Sequence, residues 1–151
     1  MIILENLYPL SRYIAGIYRL SKNDFNQQIA RLDIRATQSD VLLFIAEHNG
    51  LDQKSIAKQM AVAPGLVTKD LRILEKQGLI NRYLNPHDSR RRQIFITDLG
   101  AELVDQLRKI MNHWWYKQLV QCSTIDQPSL FVQQLQALYQ ELIYSNEVDI
   151  L

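Results

Sequence analysis

The sequence has little of what tight turns and cross-links need: one cysteine, five glycines and four prolines among 151 residues. A single cysteine excludes an intramolecular disulfide and a cysteine-based zinc finger, and it suits a reducing compartment. The shortage of glycine and proline favours long helices over a sandwich of many short strands. The longest apolar run, Val41 to Ala46, is far too short to cross a bilayer.

The first ten residues contain no basic side chain but include Glu5. A secretory signal begins with a positively charged segment, so we expect a cytoplasmic protein that has no membrane partner. Apolar residues make up 47% of the chain and charged residues 22%, which is typical of a globular protein. A disordered chain would contain fewer apolar residues.

Charge is distributed unevenly along the chain. Residues 52–92 contain nine Lys or Arg and four Asp or Glu, a net charge of +5. The other residues contain eight basic and twelve acidic side chains, a net charge of −4, and no Lys or Arg follows Lys117. A basic middle between acidic ends is expected when one surface binds a polyanion such as nucleic acid. Chance clustering on a solvated face is the alternative.

Long helices are predicted at both ends of the chain. Apolar residues at three- and four-residue steps predict one helix over residues 4–32, about 40 Å long. A fifth helix is predicted from its cap, Thr97, to about Cys122, with Leu99 on its apolar stripe, and a last helix over residues 129–146. One small domain cannot cover these stripes, so we expect a second copy of the chain to do so. Cys122 is expected to pack as a small hydrophobic residue.

The middle of the chain predicts a helix-turn-helix followed by a hairpin. Residues 37–40 (Thr-Gln-Ser-Asp) resemble a capping box that begins the second helix. Asp52 is expected to cap a third helix, and Pro64 to begin a fourth that ends near Gln77. Strand-forming residues at 79–84 and 91–96 flank a turn-rich link. Such a winged helix-turn-helix places its second helix in the DNA major groove.

Residues 51–100 resemble the multiple antibiotic resistance regulator (MarR) family of transcription factors. The wing pattern of that family is Asp, one residue, Arg, and then a strand ending in Leu-Thr-x-x-Gly, and this chain has Ile in place of the Leu. The residues that carry the resemblance are Val67-Thr68-Lys69, Leu74-Glu75-Lys76, Gly78-Leu79-Ile80, Arg82, Asp88-Ser89-Arg90, and Ile96-Thr97 with Gly100. The long flanking helices also match, so the resemblance covers nearly the whole chain.

The resemblance implies a homodimeric regulator, expected to be a repressor, that binds a pseudo-palindromic operator and is released by a small aromatic or acidic effector. It implies no cofactor. The expected fold class is mainly α with a small β-hairpin wing. The implied domains are an N-terminal dimerisation helix (1–35), a winged helix-turn-helix DNA-binding domain (36–100) and C-terminal helices that complete the dimerisation domain (101–151).

The predicted DNA-binding residues lie on the third and fourth helices and on the wing. A guanidinium group suits the narrow minor groove, and Asp88 is expected to brace one wing arginine. Strand alternation would turn Arg91 away from the face that Arg90 and Arg92 share. The full set is Lys54, Lys58, Gly65, Thr68, Lys69, Arg72, Asp88, Arg90, Arg91 and Arg92.

The start of the fourth helix departs from the family pattern, which has a Ser or Thr cap and polar side chains. Residues 63–66 are Ala-Pro-Gly-Leu, and Ala cannot cap a helix. Base readout is therefore expected to rest on Thr68, Lys69 and Arg72, on thymine methyl contacts and on the groove shape of A·T-rich DNA.

An effector pocket is expected where the first, second and fifth helices meet, because aromatic walls with a few polar groups are typical of ligand pockets. The candidate residues are Tyr13, Ile17, His48, Met111, Trp114 and Trp115. The alternative is that these residues simply pack. No metal site is expected, since His48, His87 and His113 lie on three different predicted elements.

Two other functions stay open on the sequence. One is a winged-helix protein-interaction module without DNA binding, which the apolar start of the fourth helix favours. The other is a small helical enzyme, although the sequence contains neither a glycine-rich phosphate loop nor a nucleophile elbow.

Overall fold

The computed structural model describes residues 6–148, which form a mainly helical fold with one two-stranded antiparallel hairpin. This confirms the predicted fold class. The elements are α1 (Leu10–Ile29, extended by the 3-10 turn Ala30–Leu32), α2 (Ala36–Glu47), α3 (Gln53–Gln59), α4 (Pro64–Lys76), β1 (Ile80–Asn85), β2 (Asp88–Ile96), α5 (Asp98–Gln121) and α6 (Pro128–Val148). Over these residues, no helix combines the length and the apolar character needed to cross a membrane.

The first helix begins later than predicted. Residues 6–9 are not α-helical and Pro9 occupies the N-cap of α1, while the earlier part of the predicted 4–32 helix, residues 4 and 5, lies outside the described residues. Proline fits the start of a helix but not its interior, since it has no N–H to donate. The 20 residues of α1 span about 30 Å. Only its second half is buried, through Ser21, Phe25 and Ile29.

The second helix does not use the predicted Thr37 cap. It begins at Ala36, whose N–H donates to Asn26 Oδ1 of α1 at 2.8 Å. The N–H of Arg35 donates to Gln38 Oε1 at 3.2 Å. The start of α2 is therefore capped two residues earlier than predicted, by Gln38 from its own first turn and by Asn26 from the preceding helix.

The hydrophobic core includes side chains of α2 and of the two helices of the helix-turn-helix, α3 and α4. Asp52 caps α3 as predicted, since its Oδ1 accepts a hydrogen bond from the N–H of Ser55 at 2.8 Å. Pro64 begins α4 as predicted, and Gly78 follows it with a φ of 74°, which glycine adopts without strain. The buried apolar residues of these helices are Ala36, Val41, Leu42, Ile45, Ile56, Ala57, Val67, Leu71 and Leu74.

The junction between the wing and α5 explains the Thr-x-x-Gly pattern. The hydroxyl of Thr97 accepts a hydrogen bond from the N–H of Gly100 at 3.0 Å, and donates to the carbonyl of Gly78 at 2.7 Å. A Cβ on Gly100 would lie 2.2 Å from the carbonyl oxygen of Leu79. Leu99 is exposed, contrary to its predicted place on the apolar stripe, because the buried face of α5 begins with Gly100.

The wing is longer than predicted. Asn85 pairs with Asp88, so only Pro86 and His87 separate the strands, and β2 begins three residues before the expected Arg91. The Asn85 Oδ1 accepts a hydrogen bond from the N–H of His87 at 2.9 Å, which forms the tight turn. The register shifts between Leu84 and Asn85, which leaves a bulge on the β2 side of the wing.

The C-terminal helices leave much apolar surface uncovered. Leu135, Leu138 and Leu142 of α6 are each more than 40% exposed. Cys122 is also exposed, contrary to the prediction that it packs. It is the C-cap of α5, with extended backbone angles, so it lies beyond the packed face of that helix.

Candidate nucleic-acid interface

Adjoining elements present basic side chains to solvent: α3 packs against both α4 and the wing strand β2. Nearly all the predicted phosphate and groove contacts on these elements are exposed, which a binding surface requires. The exposed basic residues among those predicted are Lys54 and Lys58 on α3, Lys69 and Arg72 on α4, and Arg90, Arg91 and Arg92 on β2, and Lys76 at the end of α4 is exposed as well.

The first turn of α4 is uncapped and open. Ala63 provides no side-chain cap, as its residue type implied. Gly65 has no atom within 4 Å of the position that a Cβ would take, and Leu66 is 58% exposed. The backbone of this turn can therefore approach a ligand closely, and the accessible side chain beside it is apolar.

Thr68 is committed to packing two helices together. Its hydroxyl donates to the carbonyl of Pro64 at 2.9 Å and accepts a hydrogen bond from the Gln53 side chain. A hydroxyl engaged in this way positions α3 against α4 and has little capacity left for a base edge. Sequence reasoning missed Gln53, since a polar residue in the first turn of a helix carries no distinctive signal.

Arg91 lies beside two carboxylates, one on the wing and one at the start of α3. Its Nε lies 3.6 Å from Asp88 Oδ2 and 3.7 Å from Asp52 Oδ2. The expected brace from Asp88 is present and acts on Arg91, while Asp88 Oδ1 accepts a hydrogen bond from the N–H of Arg90 at 3.0 Å. Within residues 6–148, the structure shows no ion pair for the side chains of Arg90 and Arg92.

Asp52 keeps its charge in this setting. Burial acts to raise the pKa of Asp52, but hydrogen bonds from Ser55 and the charges of Arg91 and Lys54 outweigh it, so the pKa lies below its usual range. Sequence reasoning found Asp52 only as a helix cap. Its partner Arg91 lies far along the chain, so no local pattern marks the pair.

The base of the wing is fixed to the segment before α3. The N–H of Gly50 donates to the carbonyl of Ile94 at 2.8 Å, and the N–H of Ile94 donates to the carbonyl of Leu51 at 3.0 Å. The Asn49 Oδ1 accepts a hydrogen bond from the N–H of Ile96 at 2.8 Å. The helix-turn-helix and the wing therefore hold each other in place.

Arg82 has a structural role at the same base. Its side chain is only 12% exposed and forms an ion pair with Glu75 of α4. This basic residue therefore contributes to the charge of the segment but not to the exposed surface.

The expected effector pocket between α1, α2 and α5 is filled by side chains. The Trp114 ring packs edge-on against Phe25 at 5.0 Å and against Trp115 at 4.8 Å, and its Nε1 donates to Asp24 at 3.0 Å. Met111 packs against the same core. The packing alternative therefore holds for Met111, Trp114 and Trp115 in the protomer.

An open cleft of about 850 Å³ lies instead between α2 and α6, above the turn that joins α3 to α4. Of the six candidate effector residues, only His48 lines it. Tyr13 and Ile17 are 56% and 50% exposed on α1 and lie outside its lining. This cleft therefore does not bring the six residues together, and their role in effector binding stays a prediction. Across the described part of the chain, no three His, Cys, Asp or Glu side chains are grouped as metal ligands.

The fold and this surface define a winged helix-turn-helix protein. Basic side chains are exposed on α4, which is the second helix of the motif, and on the wing. The profile of the MarR family matches residues 34–91. The chain is 34% identical over 103 residues to the organic hydroperoxide resistance transcriptional regulator of Bacillus subtilis (strain 168), covering 68% of this chain and 69% of that protein. The chain belongs to the MarR family and is a DNA-binding transcriptional regulator.

Two further similarities cover more of the chain. The multiple antibiotic resistance protein MarR of Escherichia coli (strain K12) is 26% identical over 125 residues, which are 83% of this chain and 87% of that protein. The crystal structure of the S. aureus MepR–DNA complex superposes with a TM-score of 0.73 at 26% identity, covering 87% of this chain and 96% of that chain. The similarity therefore extends to the long helices outside the region that the family profile matches.

Proposed function

We propose that this regulator is a homodimeric repressor that occupies a pseudo-palindromic operator and is released when a small molecule binds in the cleft between α2 and α6. The observation that carries the DNA-binding part is the exposed basic surface of α3, α4 and the wing, held in shape by the Asp52–Arg91 pair. The proposed domains are residues 1–35 and 101–151 for dimerisation and residues 36–100 for DNA binding.

Dimerisation is supported by the apolar side chains that the protomer leaves in solvent. They are concentrated on α1 and α6, at opposite ends of the sequence, and a contiguous exposed apolar surface marks an interaction site. The exposed residues outside the cleft lining are Leu10, Tyr13, Ile14, Ile17 and Leu20 on α1, and Leu130, Val132, Leu135, Leu138 and Leu142 on α6. A two-fold axis through these helices would bury both sets and place two copies of α4 on one DNA duplex.

On each half-site, α4 enters the major groove and the wing reaches the neighbouring minor groove. Lys69 and Arg72 contact base edges or phosphates, while Leu66 offers apolar contact to thymine methyl groups. Arg90 and Arg92 occupy the minor groove, whose negative potential is strongest where it is narrow. Lys54 and Lys58 hold phosphates, which position the protein without specifying sequence.

The cleft connects the proposed dimer helices to the DNA-binding domain. Tyr139 of α6 donates a hydrogen bond from its hydroxyl to the carbonyl of Gln59, the last residue of α3. Met60 and Val62, in the turn before α4, line the same cleft. A ligand in the cleft can favour one placement of α6 against this turn. If it binds the free dimer more tightly than the DNA-bound dimer, it lowers operator affinity by the same factor.

The test has two parts. DNA selected from a random pool by the purified protein should contain an inverted repeat, and its affinity should fall steeply with salt, by a slope of about −0.9 per neutralised phosphate. A protein-interaction module would select no sequence and show no such slope. Sedimentation at micromolar concentration should show a dimer, and a species of only 17.7 kDa would contradict the proposed assembly.

A further inference from the structure

The cleft between α2 and α6 is lined by acidic and aromatic side chains. None of the described residues that line it is a Lys or Arg. Glutamines and apolar residues complete the wall. Its acidic side chains are Asp40 and Glu47, and its phenol and phenyl rings are those of Tyr18, Phe44, Tyr139 and Tyr144.

One corner of the cleft already binds an ammonium group of the protein itself. Lys22 forms an ion pair with Asp40, and its Nζ lies 5.1 Å from the centre of the Tyr18 ring and 5.6 Å from that of Phe25. The lysine side chain is 14% exposed and the aspartate 29%, so the carboxylate is the more accessible partner. Burial raises the pKa of Asp40 against the opposing effect of Lys22, which indicates that one ammonium does not fully compensate the buried carboxylate.

Glu47 adds a second negative charge without a compensating partner. It is exposed near the end of α2, and within residues 6–148 the structure shows no ion pair for it. The rings of Phe44 and His48 stack at 4.1 Å beside it. A cation in the cleft would therefore find the carboxylate of Glu47 and several ring faces, whereas an anion would meet two carboxylates, with Lys22 already paired to one of them and no Lys or Arg in the described lining.

We propose that the cleft takes an aromatic cation rather than the aromatic acid that the family resemblance implies. This inference rests on the proposed function, because it assigns a ligand class to the cleft that couples α6 to the DNA-binding domain. The ligand places its rings against Phe44, Tyr139 and Tyr144, and its positive charge near Glu47 and the exposed edge of Asp40.

Two ions of nearly the same shape and opposite charge test the ligand class directly. Tetraphenylphosphonium and tetraphenylborate are each titrated calorimetrically into the full-length protein without DNA. The cation should bind saturably, one per chain, and about tenfold or more tighter than the anion. Glu47→Gln should weaken cation binding severalfold and so reduce the difference in affinity between the phosphonium and the borate.

Asp105→Asn is the matched control, since Asp105 is an exposed carboxylate on α5 that does not line the cleft. It should leave both affinities unchanged. Asp40→Asn is the second test, with thermal unfolding recorded in parallel because this change also removes the partner of Lys22.

Equal or tighter binding of the borate overturns the inference, as does the absence of cation binding up to its solubility limit. An equal loss in Glu47→Gln and Asp105→Asn also overturns it, because the cation would then respond only to net charge. Operator release by the cation is measured in a separate experiment, on wild type and on Glu47→Gln. Release that is the same for both proteins is a direct effect of the cation on DNA. If the cation binds through Glu47 but does not release the operator, the ligand class stands and the proposed release mechanism fails.

Discussion

Asp52 and Arg91 join the helix-turn-helix to the wing through a single carboxylate. Asp52 Oδ1 accepts the hydrogen bond that begins α3, and Oδ2 lies 3.7 Å from the Arg91 Nε. The same residue therefore sets the start of one element and the position of another. Arg91 is held at the surface by two acidic partners, so its expected role differs from that of Arg90 and Arg92.

The first prediction separates these arginines. Arg90→Ala should weaken operator binding by about 1–3 kcal/mol and flatten the dependence of affinity on salt. Arg91→Ala should weaken binding less and leave the salt dependence nearly unchanged, because it acts on the placement of the wing. Affinity measured across a salt series distinguishes the two effects. An equal flattening by both variants would show that Arg91 also contacts DNA.

The second prediction concerns pH. Because the pKa of Asp52 is lower in the folded protein than in the unfolded chain, the carboxylate contributes stability above the unfolded pKa, and this stability is lost as pH falls through the folded pKa. Asp52→Asn keeps a side chain that can cap α3 but removes the charge. The difference in free energy of unfolding between wild type and variant should be present at neutral pH and shrink in acid. A difference that stays constant down to strongly acidic pH would contradict the assignment.

The third prediction concerns Gly100. A Cβ there would overlap the carbonyl oxygen of Leu79, which is backbone and cannot rotate away. Gly100→Ala should therefore cost about 3 kcal/mol or more in free energy of unfolding, measured by chemical denaturation. A loss below about 1 kcal/mol would show that α5 shifts freely against the wing.

Gly65→Ala gives the fourth prediction and the matched glycine control. The Cβ would point into open space, and alanine favours a helix, so the stability of the protein should rise by up to about 1 kcal/mol. If the first turn of α4 approaches DNA closely, operator affinity should fall in the same variant. An unchanged affinity would remove Gly65 from the proposed interface.

Local signals in the sequence predicted the helix-turn-helix well. Asp52, Pro64 and Thr97 each begin a helix through groups within one turn of themselves, so these helix starts can be predicted without the fold. The start of α2 could not be predicted in this way, because its N–H groups are satisfied partly by Asn26 from another helix. The predicted Thr37 cap was wrong, because the helix begins earlier, at Ala36, where Gln38 and Asn26 accept the first N–H groups.

The candidate site was predicted in part. Strand alternation assumes a regular ladder, whereas residues 89–91 lie in the register shift of β2, and the pairing of Arg91 with Asp52 depends on how β2 crosses the start of α3. The effector residues were grouped by the helices on which they lie, and the direction of Trp114 towards Phe25 and Asp24 is set by packing that periodicity does not encode. The cleft depends on where α6 lies relative to α2, and no single segment of the sequence specifies that position.

The central claim is that two copies of α4 read one operator together, and operator spacing tests it most directly. Half-sites about 10 bp apart, centre to centre, should bind most tightly, because the two recognition helices then face the same side of the duplex. Inserting about 5 bp should place one half-site on the opposite side and reduce the affinity to that of a single half-site. The account would be contradicted if the insertion left the affinity unchanged, or if DNA with one half-site bound as tightly as DNA with two.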